Sequence, residues 1–308
     1  MSHLSLSIPL APPARRVIVL VLDGLRADLV GDPRFPNLIA LQAASAHTTE
    51  AITVLPSVTA AAMTSLLSGV APADHGTDTD RFRVPEARRQ LQTIPHLVTA
   101  AGLPSVGVVQ QVPWLIRPLA KRIVAALGLA TTIFAKPSAH ALLQAALPAI
   151  RTQHEGFIIV HWPDCDAIGH RTGWMSPAYL AAVARMDHTL GLLRWELKSS
   201  RDDTLLIALA DHGGGGRVAT HHDSAHPLDC TIPIFLEGAG VTPQRLPDGL
   251  SILDVPATVL WALGIARPAR YAGRPITEAF PAPALPAMHV QSGMPAMGTM
   301  PALASSAA

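Results

Sequence analysis

The chain has 308 residues, of which 49% are hydrophobic and 15% charged, a composition that excludes a disordered protein and allows a sizeable apolar core. The 23 basic and 22 acidic residues leave a formal net charge of +1, and nothing in that overall balance suggests a nucleic-acid or anionic-membrane binder. Cys165 and Cys230 lie far apart and form no C-x-x-C motif, so we expect no disulfide framework and a reducing compartment.

The amino-terminal residues carry several prolines ahead of Arg15 and Arg16, and they lack the basic, apolar and small-residue regions of a secretory signal. No apolar run reaches the roughly 18 residues that are needed to span a bilayer. We therefore expect a cytoplasmic protein without stable membrane insertion.

Short runs rich in Val and Ile alternate with longer stretches of helical periodicity, which predicts an α/β protein with a mostly parallel sheet covered by helices. The clearest helix start is Ser176, a preferred N-cap residue, followed by Pro177 at the first helical position. Asp187 in that helix is expected to be a structural ion-pair partner. The predicted strands are residues 17–22, 105–110, 157–161, 204–209 and 232–236, and the predicted helices are residues 37–46, 59–67, 177–198 and 254–263.

The composition divides the chain into three parts. Residues 1–14 are expected to form an amino-terminal extension and residues 15–280 one folded domain. Residues 112–149 are basic and amphipathic, which fits a small cap insertion, a membrane-surface helix, or two helices packed on the main sheet. From residue 281 to 308 Pro, Ala, Met and Ser dominate without periodicity, so this tail is expected to be disordered.

Residues suited to chemistry concentrate in four segments near predicted strand ends, where open α/β sheets bind ligands. In the first, a buried strand runs into Asp23 and Gly24, a carboxylate followed by a residue that permits a tight turn. In the second, Thr59 lies at the start of a predicted helix, where the helix dipole favours a bound anion. Taken alone, Asp23 also fits a turn or cap residue, and Thr59 fits an ordinary N-cap.

The third segment follows the strand at residues 157–161 and contains Asp166 and His170, four positions apart. One helical turn or a compact loop can direct both side chains at one ion. A carboxylate oxygen and an imidazole nitrogen are ligands that suit zinc.

The fourth segment follows the strand at residues 204–209 and begins with Asp211 and His212. Burying both groups at a strand end without partners costs several kcal/mol, about 2–7 for each polar group, and a shared metal removes that cost. The glycine run at residues 213–216 is interpreted as a flexible link that lets His222 fold back, although a phosphate-cradling loop has a similar composition.

In this order, the series of motifs resembles the alkaline phosphatase superfamily, in particular its nucleotide pyrophosphatase/phosphodiesterase branch, from about residue 17 to residue 274. The motifs that carry the resemblance are Leu-Asp-Gly at 22–24, Pro-Ser-Val-Thr at 56–59, Thr-Ser-Leu-Leu-Ser-Gly at 64–69, Asp-His-Gly at 74–76, Asp-x-x-Gly-His at 166–170, Asp-His-Gly at 211–213 and Thr-Ile-Pro at 231–233.

The resemblance implies a three-layer α/β/α sandwich and two divalent metal ions, zinc by ligand type, with Mn²⁺ an alternative. It implies one ion held by Asp166, His170 and His222, and a second held by Asp23, Asp211 and His212, with Thr59 directed at the second ion. His222 is preferred over His221 by its distance from the Thr-Ile-Pro motif, although the family's flanking glycines are absent here.

Two-metal chemistry then implies that Thr59 attacks phosphorus in an in-line displacement and forms a phospho-threonine intermediate. The expected function is hydrolysis of phosphate esters, either a phosphodiester or a pyrophosphate, in a small phosphorylated substrate rather than a nucleic-acid polymer.

One position departs from the family pattern. Asp80 stands where the branch usually carries an Asn that donates a hydrogen bond to the phosphate, and an ionised carboxylate cannot donate. This predicts an altered substrate preference, with Asp80 in contact with substrate. His226, four residues beyond His222, is a second expected substrate contact.

Two kinds of alternative remain open at this point. A phosphonoacetate-type phosphonate hydrolase or a phosphomonoesterase could use the same Thr and the same metals. A non-catalytic metal-binding or scaffold protein could keep the fold, but it would not need the complete set of ligands together with Thr59.

Overall fold

The computed structural model describes residues 13–79, 91–129 and 131–281, and its centre is one eight-stranded sheet. The order of strands across the sheet is β4-β3-β5-β1-β6-β7-β2-β8, with β7 antiparallel to both of its neighbours and the other pairs parallel. The strands are β1 (Arg16–Leu22), β2 (Ala46–Ile52), β3 (Ser105–Gln110), β4 (Thr131–Ala135), β5 (Gly156–Trp162), β6 (Thr204–Leu209), β7 (Thr231–Gly238) and β8 (Gln244–Arg245).

Helices cover both faces of the sheet, which confirms the predicted three-layer α/β/α sandwich. Four of them (α1, α6, α7 and α8) contact one another or strands on one face, and α2, α4 and α10 pack together on the other. The helices are α1 (Pro36–Ala44), α2 (Thr59–Ser68), α3 (Pro72–His75), α4 (Ile94–Ala100), α5 (Arg117–Ala126), α6 (Ala139–Thr152), α7 (Asp164–Thr172), α8 (Pro177–Leu197), α9 (Pro227–Cys230) and α10 (Asp254–Ala262). Among the described helices, none combines the length and the hydropathy needed to cross a bilayer.

Strand β1 lies at the centre of the sheet because its apolar residues can be buried on both faces. Every residue of β1 is buried, and the strand pairs in parallel with β5 on one side and β6 on the other. Val21 lies level with His161 of β5 and with Leu209 of β6. The carboxyl ends of these three strands therefore meet at one edge of the sheet, which we call the carboxyl edge.

Helix α8 begins where the sequence predicted, with Ser176 accepting a hydrogen bond from the Tyr179 N–H and Pro177 in the first turn. Asp187 on this helix is buried, but it is not the expected ion-pair partner. Its carboxylate accepts hydrogen bonds from the backbone N–H groups of Asn37 and Leu38 at the start of α1, at 3.3 and 2.7 Å. Asp187 of α8 therefore caps the amino end of α1 and holds the two helices together.

All five predicted strands and all four predicted helices are confirmed, with ends shifted by no more than two residues. The sequence missed β2, β4 and β8. Residues 112–149, for which a cap was one of three alternatives, supply helix α5, the edge strand β4 and most of helix α6, and α6 packs on β3, β4 and β5. Apart from residues 13, 14 and 281, the expected amino-terminal extension and disordered tail lie outside the described residues.

Candidate active site

Three acidic residues from different strands come together at the carboxyl edge. Asp23 directly follows β1, Asp211 lies two residues beyond β6, and Asp166 lies in the first turn of α7, just after β5. The parallel pairing of β1 with β5 and β6 dictates this convergence, as the strand-end rule predicted. Asp23 and Asp211 are buried, whereas Asp166 is partly exposed.

The first group of ligand atoms consists of Asp166 Oδ1, His170 Nε2 and His222 Nε2. The two imidazole nitrogens are 3.0 Å apart, and they lie 3.3 and 3.4 Å from the carboxylate oxygen. Ligand atoms around a tetrahedral zinc ion with bonds of about 2.0–2.1 Å are separated by about 3.3 Å. The three atoms therefore have the mutual spacing of three corners of a zinc tetrahedron.

A hydrogen bond at Nδ1 fixes the tautomer of each of the three histidines in the two groups. Nδ1 of His170 lies 2.9 Å from the Thr220 carbonyl oxygen, that of His222 lies 2.6 Å from the Ser57 oxygen, and that of His212 lies 2.9 Å from the Gly213 oxygen. A carbonyl oxygen only accepts hydrogen bonds, so each Nδ1 carries a hydrogen and donates it. Each Nε2 then presents its lone pair to the centre of the site, as in metal-binding histidines.

The second group comprises Asp23, Asp211, His212 and Thr59. Nε2 of His212 lies 3.3 Å from Asp23 Oδ1, 3.6 Å from Asp211 Oδ2 and 3.0 Å from Thr59 Oγ1. The other Asp211 oxygen, Oδ1, accepts hydrogen bonds from the backbone N–H groups of Gly24 and His212, which orients the carboxylate. We call the side chains of both groups the ligand cluster.

The ligand cluster contains buried oxygens that have no hydrogen-bond partner. Within the described residues these include Asp23 Oδ1, Asp166 Oδ1 and Asp211 Oδ2. An unsatisfied buried polar atom costs about 1–3 kcal/mol, and more when it carries charge. Divalent cations would satisfy all three oxygens and the Nε2 lone pairs at once, so the residues present fit a pair of metal ions.

The titration of the cluster also fits a site for cations. Burial raises the pKa of Asp211 to about 7, with the nearby Asp23 carboxylate adding to the rise. Burial would also raise the pKa of Asp23, but the His161 and His212 rings outweigh it and hold that pKa well below its usual range. The cluster alone must therefore retain protons to offset its negative charge, and bound cations would replace them.

Thr59 is the first residue of α2, and its hydroxyl does not cap that helix. The N-cap residue is Val58, which makes no side-chain capping bond. The Thr59 Oγ1 instead points to His212 Nε2 in the ligand cluster. Thr59 is therefore not an ordinary N-cap residue. Its hydroxyl lies at the amino end of a ten-residue helix, where the helix dipole favours an anion.

His161 belongs to the surroundings of the cluster, although no role in the site was predicted for it. It is buried, and its Nε2 lies 3.1 Å from Asp23 Oδ2. The contact arises because His161 occupies the end of β5, level with Val21, and Asp23 follows two residues later. A histidine at the end of the predicted strand 157–161 was the available signal in the sequence.

The glycine run at residues 213–216 is neither a flexible link nor a phosphate-cradling loop. Its four N–H groups all donate within the protein, to Asp229 O, Leu228 O, His221 O and Asp229 Oδ1. A Cβ on Gly214 would lie 2.1 Å from the Trp174 ring. The run consists of glycines because neighbouring groups pack directly on its backbone.

Trp174 is a residue of the site that the sequence did not reveal. It packs edge-on against His170 and His222, and its indole N–H donates to the Gly24 carbonyl oxygen at 2.9 Å. Trp174 thus contacts two ligands of the first group and the turn after β1. Nothing in the local sequence Gly-Trp-Met predicts this position.

One of the two expected substrate contacts, His226, serves as a helix cap. The Nδ1 of His226 accepts a hydrogen bond from the Leu228 N–H at the start of α9, so that this ring acts as a helix cap. Asp80 lies outside the described residues. Asp164, the other acidic residue after β5, accepts a hydrogen bond from the Ala139 N–H and caps α6.

A cavity of about 300 Å³ opens beside the ligand cluster. Two carboxylates border it, together with imidazole rings and small side chains. Its lining residues are Pro56, Val58, Asp78, Thr79, His170, His221, His222 and Asp223. The cavity accommodates a small molecule and presents negative charge at its rim.

Comparison with known proteins places this site in a family. The family model for type I phosphodiesterase / nucleotide pyrophosphatase matches residues 17–101 and 127–229, more than half of the chain. The matched ranges include every residue of the ligand cluster.

Solved structures with the same fold have low sequence identity. The lipoteichoic acid synthase LtaP from Listeria monocytogenes is 18% identical, with a TM-score of 0.67 over 85% of this chain and 75% of that one. A murine ectonucleotide pyrophosphatase / phosphodiesterase 5, inactive and in complex with AMP, is 13% identical, with a TM-score of 0.64 over 82% of this chain and 96% of that one.

Among curated proteins, the chain is similar to 2,3-bisphosphoglycerate-independent phosphoglycerate mutases. The one from Haloarcula marismortui is 30% identical over 144 residues, which are 46% of this chain and 27% of the mutase. The chain therefore matches about a quarter of the length of these relatives. The motif series, the fold and the family match agree, and the chain belongs to the type I phosphodiesterase / nucleotide pyrophosphatase family.

Proposed function

We propose that this protein hydrolyses phosphate esters, a phosphodiester or a pyrophosphate in the first place, with Thr59 as the nucleophile. The observation that carries the proposal is the position of the Thr59 hydroxyl, which lies 3.0 Å from His212 Nε2 and makes no capping bond to its own helix. A threonine placed only for helix stability would direct its oxygen back to the helix N–H groups.

Two divalent ions are part of the proposal, Zn²⁺ by ligand type, with Mn²⁺ an alternative. Asp166, His170 and His222 would hold one ion. Asp23, Asp211 and His212 would hold the other, together with the Thr59 oxygen. When bound, such ions lower the pKa of a ligating hydroxyl and neutralise phosphoryl charge.

The residues of the chain orient the reacting groups. Thr59 Oγ1 forms a bond to phosphorus as the bond from phosphorus to the leaving-group oxygen breaks, giving a phospho-threonine. Water then attacks the same phosphorus and restores the Thr59 hydroxyl. The amino end of α2 favours the negative phosphoryl group throughout, because its dipole is directed at this point.

The dimensions and charge of the cavity support a small substrate. A volume of about 300 Å³ holds a molecule of nucleotide size or smaller and excludes a folded polymer. The carboxylate of Asp223 at the rim disfavours additional phosphates on the leaving group. AMP in the murine relative supports a nucleoside monophosphate ester as one substrate to test. The unpaired, buried thiols of Cys165 and Cys230 support a cytoplasmic location.

The test compares bis-p-nitrophenyl phosphate with p-nitrophenyl phosphate after metals are stripped and Zn²⁺ or Mn²⁺ is restored. Thr59→Ala should lose turnover by at least about 10³-fold while keeping its bound metal. The control is Thr64→Ala in the same helix, whose Oγ1 bonds only to the Ala60 carbonyl oxygen. If the Thr59→Ala variant were as active as the Thr64→Ala variant, Thr59 would not be the nucleophile.

The substrate panel separates the other possibilities. Faster release from the monoester would identify a phosphomonoesterase, and activity on phosphonoacetate alone would identify a phosphonate hydrolase. 3-Phosphoglycerate belongs in the panel because the curated relatives are phosphoglycerate mutases. A protein that binds both ions but turns over none of these substrates would favour the metal-binding scaffold.

A further inference from the structure

Three consecutive apolar side chains are exposed in the loop between β3 and α5. Trp114, Leu115 and Ile116 have exposed fractions of 78%, 71% and 38%. Other large hydrophobic side chains that the described ranges leave exposed stand singly along the chain. A contiguous exposed run of this kind usually marks a binding surface.

The helix that follows continues this surface with positive charge. Helix α5 turns Ala120 and Leu127 inwards, where both are buried, and leaves Arg117, Lys121 and Arg122 exposed. None of these three cations forms an ion pair with any described residue. We call residues 114–117 with Lys121 and Arg122 the basic patch.

The basic patch lies in a long stretch without negative charge. From residue 91 to residue 154 the sequence contains no Asp or Glu, although the whole chain has 22 of them. The overall charge of +1 therefore conceals a strongly uneven distribution. Lys136, directly after β4, adds a further cation to this region.

The basic patch opens at the same edge of the sheet as the ligand cluster. Its loop follows the carboxyl end of β3, and β3 is parallel to β5, which is parallel to β1. The ends of β5 and β1 carry the ligand cluster. A flat surface in contact with the patch would therefore face the entrance to the site.

We propose that the basic patch docks this protein peripherally on an anionic lipid bilayer. Tryptophan prefers the headgroup region, and an amphipathic helix with Lys and Arg on its polar face is attracted to anionic lipids. Exposed leucine and isoleucine gain nothing from the phosphates of a nucleic acid, whereas they gain apolar contacts at the acyl boundary of a bilayer. The docking is independent of the proposed hydrolysis and needs no metal.

The experiment measures co-sedimentation of the full chain with sucrose-loaded vesicles of phosphatidylcholine containing 0, 15 or 30% phosphatidylglycerol. We expect binding that rises with phosphatidylglycerol and falls with salt. Replacing Arg117, Lys121 and Arg122 together by Gln should lower the partition coefficient at least about tenfold. Trp114→Ala with Leu115→Ser should do the same, and brominated lipid should quench wild-type fluorescence but not that of Trp114→Phe.

A matched control lies at the opposite edge of the sheet. Trp195 is 73% exposed and lines a separate cavity with Lys198, so Trp195→Ala with Lys198→Gln should bind vesicles as the wild type does. The patch variants change exposed side chains, and an unchanged melting temperature will show that they fold.

Three results would overturn the proposal. One is equal binding to neutral and anionic vesicles, or binding to neither. Another is vesicle binding by the patch variants at the wild-type level. The third is concentration-dependent dimerisation, or binding to RNA in preference to vesicles, that the patch variants abolish.

Discussion

The Nε2 atoms of His170 and His222 lie 3.0 Å apart while both rings donate their Nδ1 hydrogens to backbone carbonyl oxygens. Two nitrogen lone pairs at this distance repel each other unless a proton or a cation lies between them. Asp166 Oδ1 completes the triangle, and no described residue donates a hydrogen bond to it. The backbone around Ser57 and Thr220 thus holds the two rings in an arrangement that is favourable only with a positive charge at its centre.

This arrangement predicts how metal and stability are linked. Chelation should lower the melting temperature, and added Zn²⁺ or Mn²⁺ should restore it, because only the folded chain assembles the ligands. A free metal concentration of 100 Kd would stabilise the fold by about 2.7 kcal/mol per site. Differential scanning fluorimetry across a metal titration measures the effect. A melting temperature that is unaffected by chelator in a metal-free preparation would exclude a preformed site.

The choice between two adjacent histidines gives a second prediction. His222→Ala should remove one equivalent of bound metal, whereas His221→Ala should retain both, because the exposed His221 ring hydrogen-bonds to Thr220 Oγ1 and meets the cluster through an edge-on ring contact with His170. Elemental analysis of the dialysed proteins measures the stoichiometry. The reverse result, with metal lost only from His221→Ala, would show that the ligand was assigned to the wrong residue.

Packing against Trp174 gives a third prediction, on stability. A Cβ on Gly214 would overlap the Trp174 ring, so Gly214→Ala should destabilise the fold by about 1–3 kcal/mol, the usual cost of overpacking. Replacing Trp174 by Leu in the Gly214→Ala background should recover part of the loss, since the overlapping ring is then absent. Urea unfolding of the two single variants and the double variant measures the coupling. Additive effects would show that the two positions do not interact.

The sequence was sufficient for the parts of the fold that rest on strong local patterns. The apolar run of β1 followed by Asp-Gly predicted a strand with a carboxylate at its end, and parallel pairing dictated the rest of the convergence. Strands β2 and β4 were missed because they lie towards the edges of the sheet and are only partly buried, so neither shows a continuous apolar run.

The contacts around the cluster depend on geometry that no local pattern encodes. The approach of His161 to Asp23 requires the register of β1 against β5, and the packing of Trp174 requires the path of the loop at residues 213–222. The roles of Asp164 and Asp187 as helix caps likewise join residues that are distant in sequence. The local pattern after β5 therefore does not by itself distinguish Asp166, the expected ligand, from Asp164, the cap; the family motif made that choice.

Asp187 gives a fourth prediction because its carboxylate caps α1 from a different helix. Asp187→Ala should destabilise the fold by about 1–2 kcal/mol, since the N–H groups of Asn37 and Leu38 lose their acceptor. Asp202→Ala is the control, because Asp202 is exposed and surface substitutions of this kind stay within about 0.5 kcal/mol. Chemical denaturation monitored by circular dichroism measures both. Equal effects of the two substitutions would argue against the cap.

His75 gives a prediction about pH. This ring is buried, with Nε2 2.9 Å from Ser65 Oγ and Nδ1 accepting from the Thr77 N–H, and burial lowers its pKa from 6.5 to about 4. The unfolded chain therefore takes up a proton at higher pH than the folded chain does. The stabilisation from a neutral His75 is complete above about pH 6.5 and is lost as the pH falls towards 4.

The size of this effect can be isolated by substitution. Between pH 7 and pH 4.5 the wild type should lose about 2 kcal/mol more stability than His75→Asn, which has no ring to protonate. His154→Asn, at an exposed position, should behave as the wild type does. The unfolding free energies are measured with chelator present, so that metal release at low pH does not contribute. If His75→Asn kept the full wild-type dependence on pH, the acid sensitivity would have to arise from other groups, and the pKa of His75 would be the same in the folded chain as in the unfolded chain.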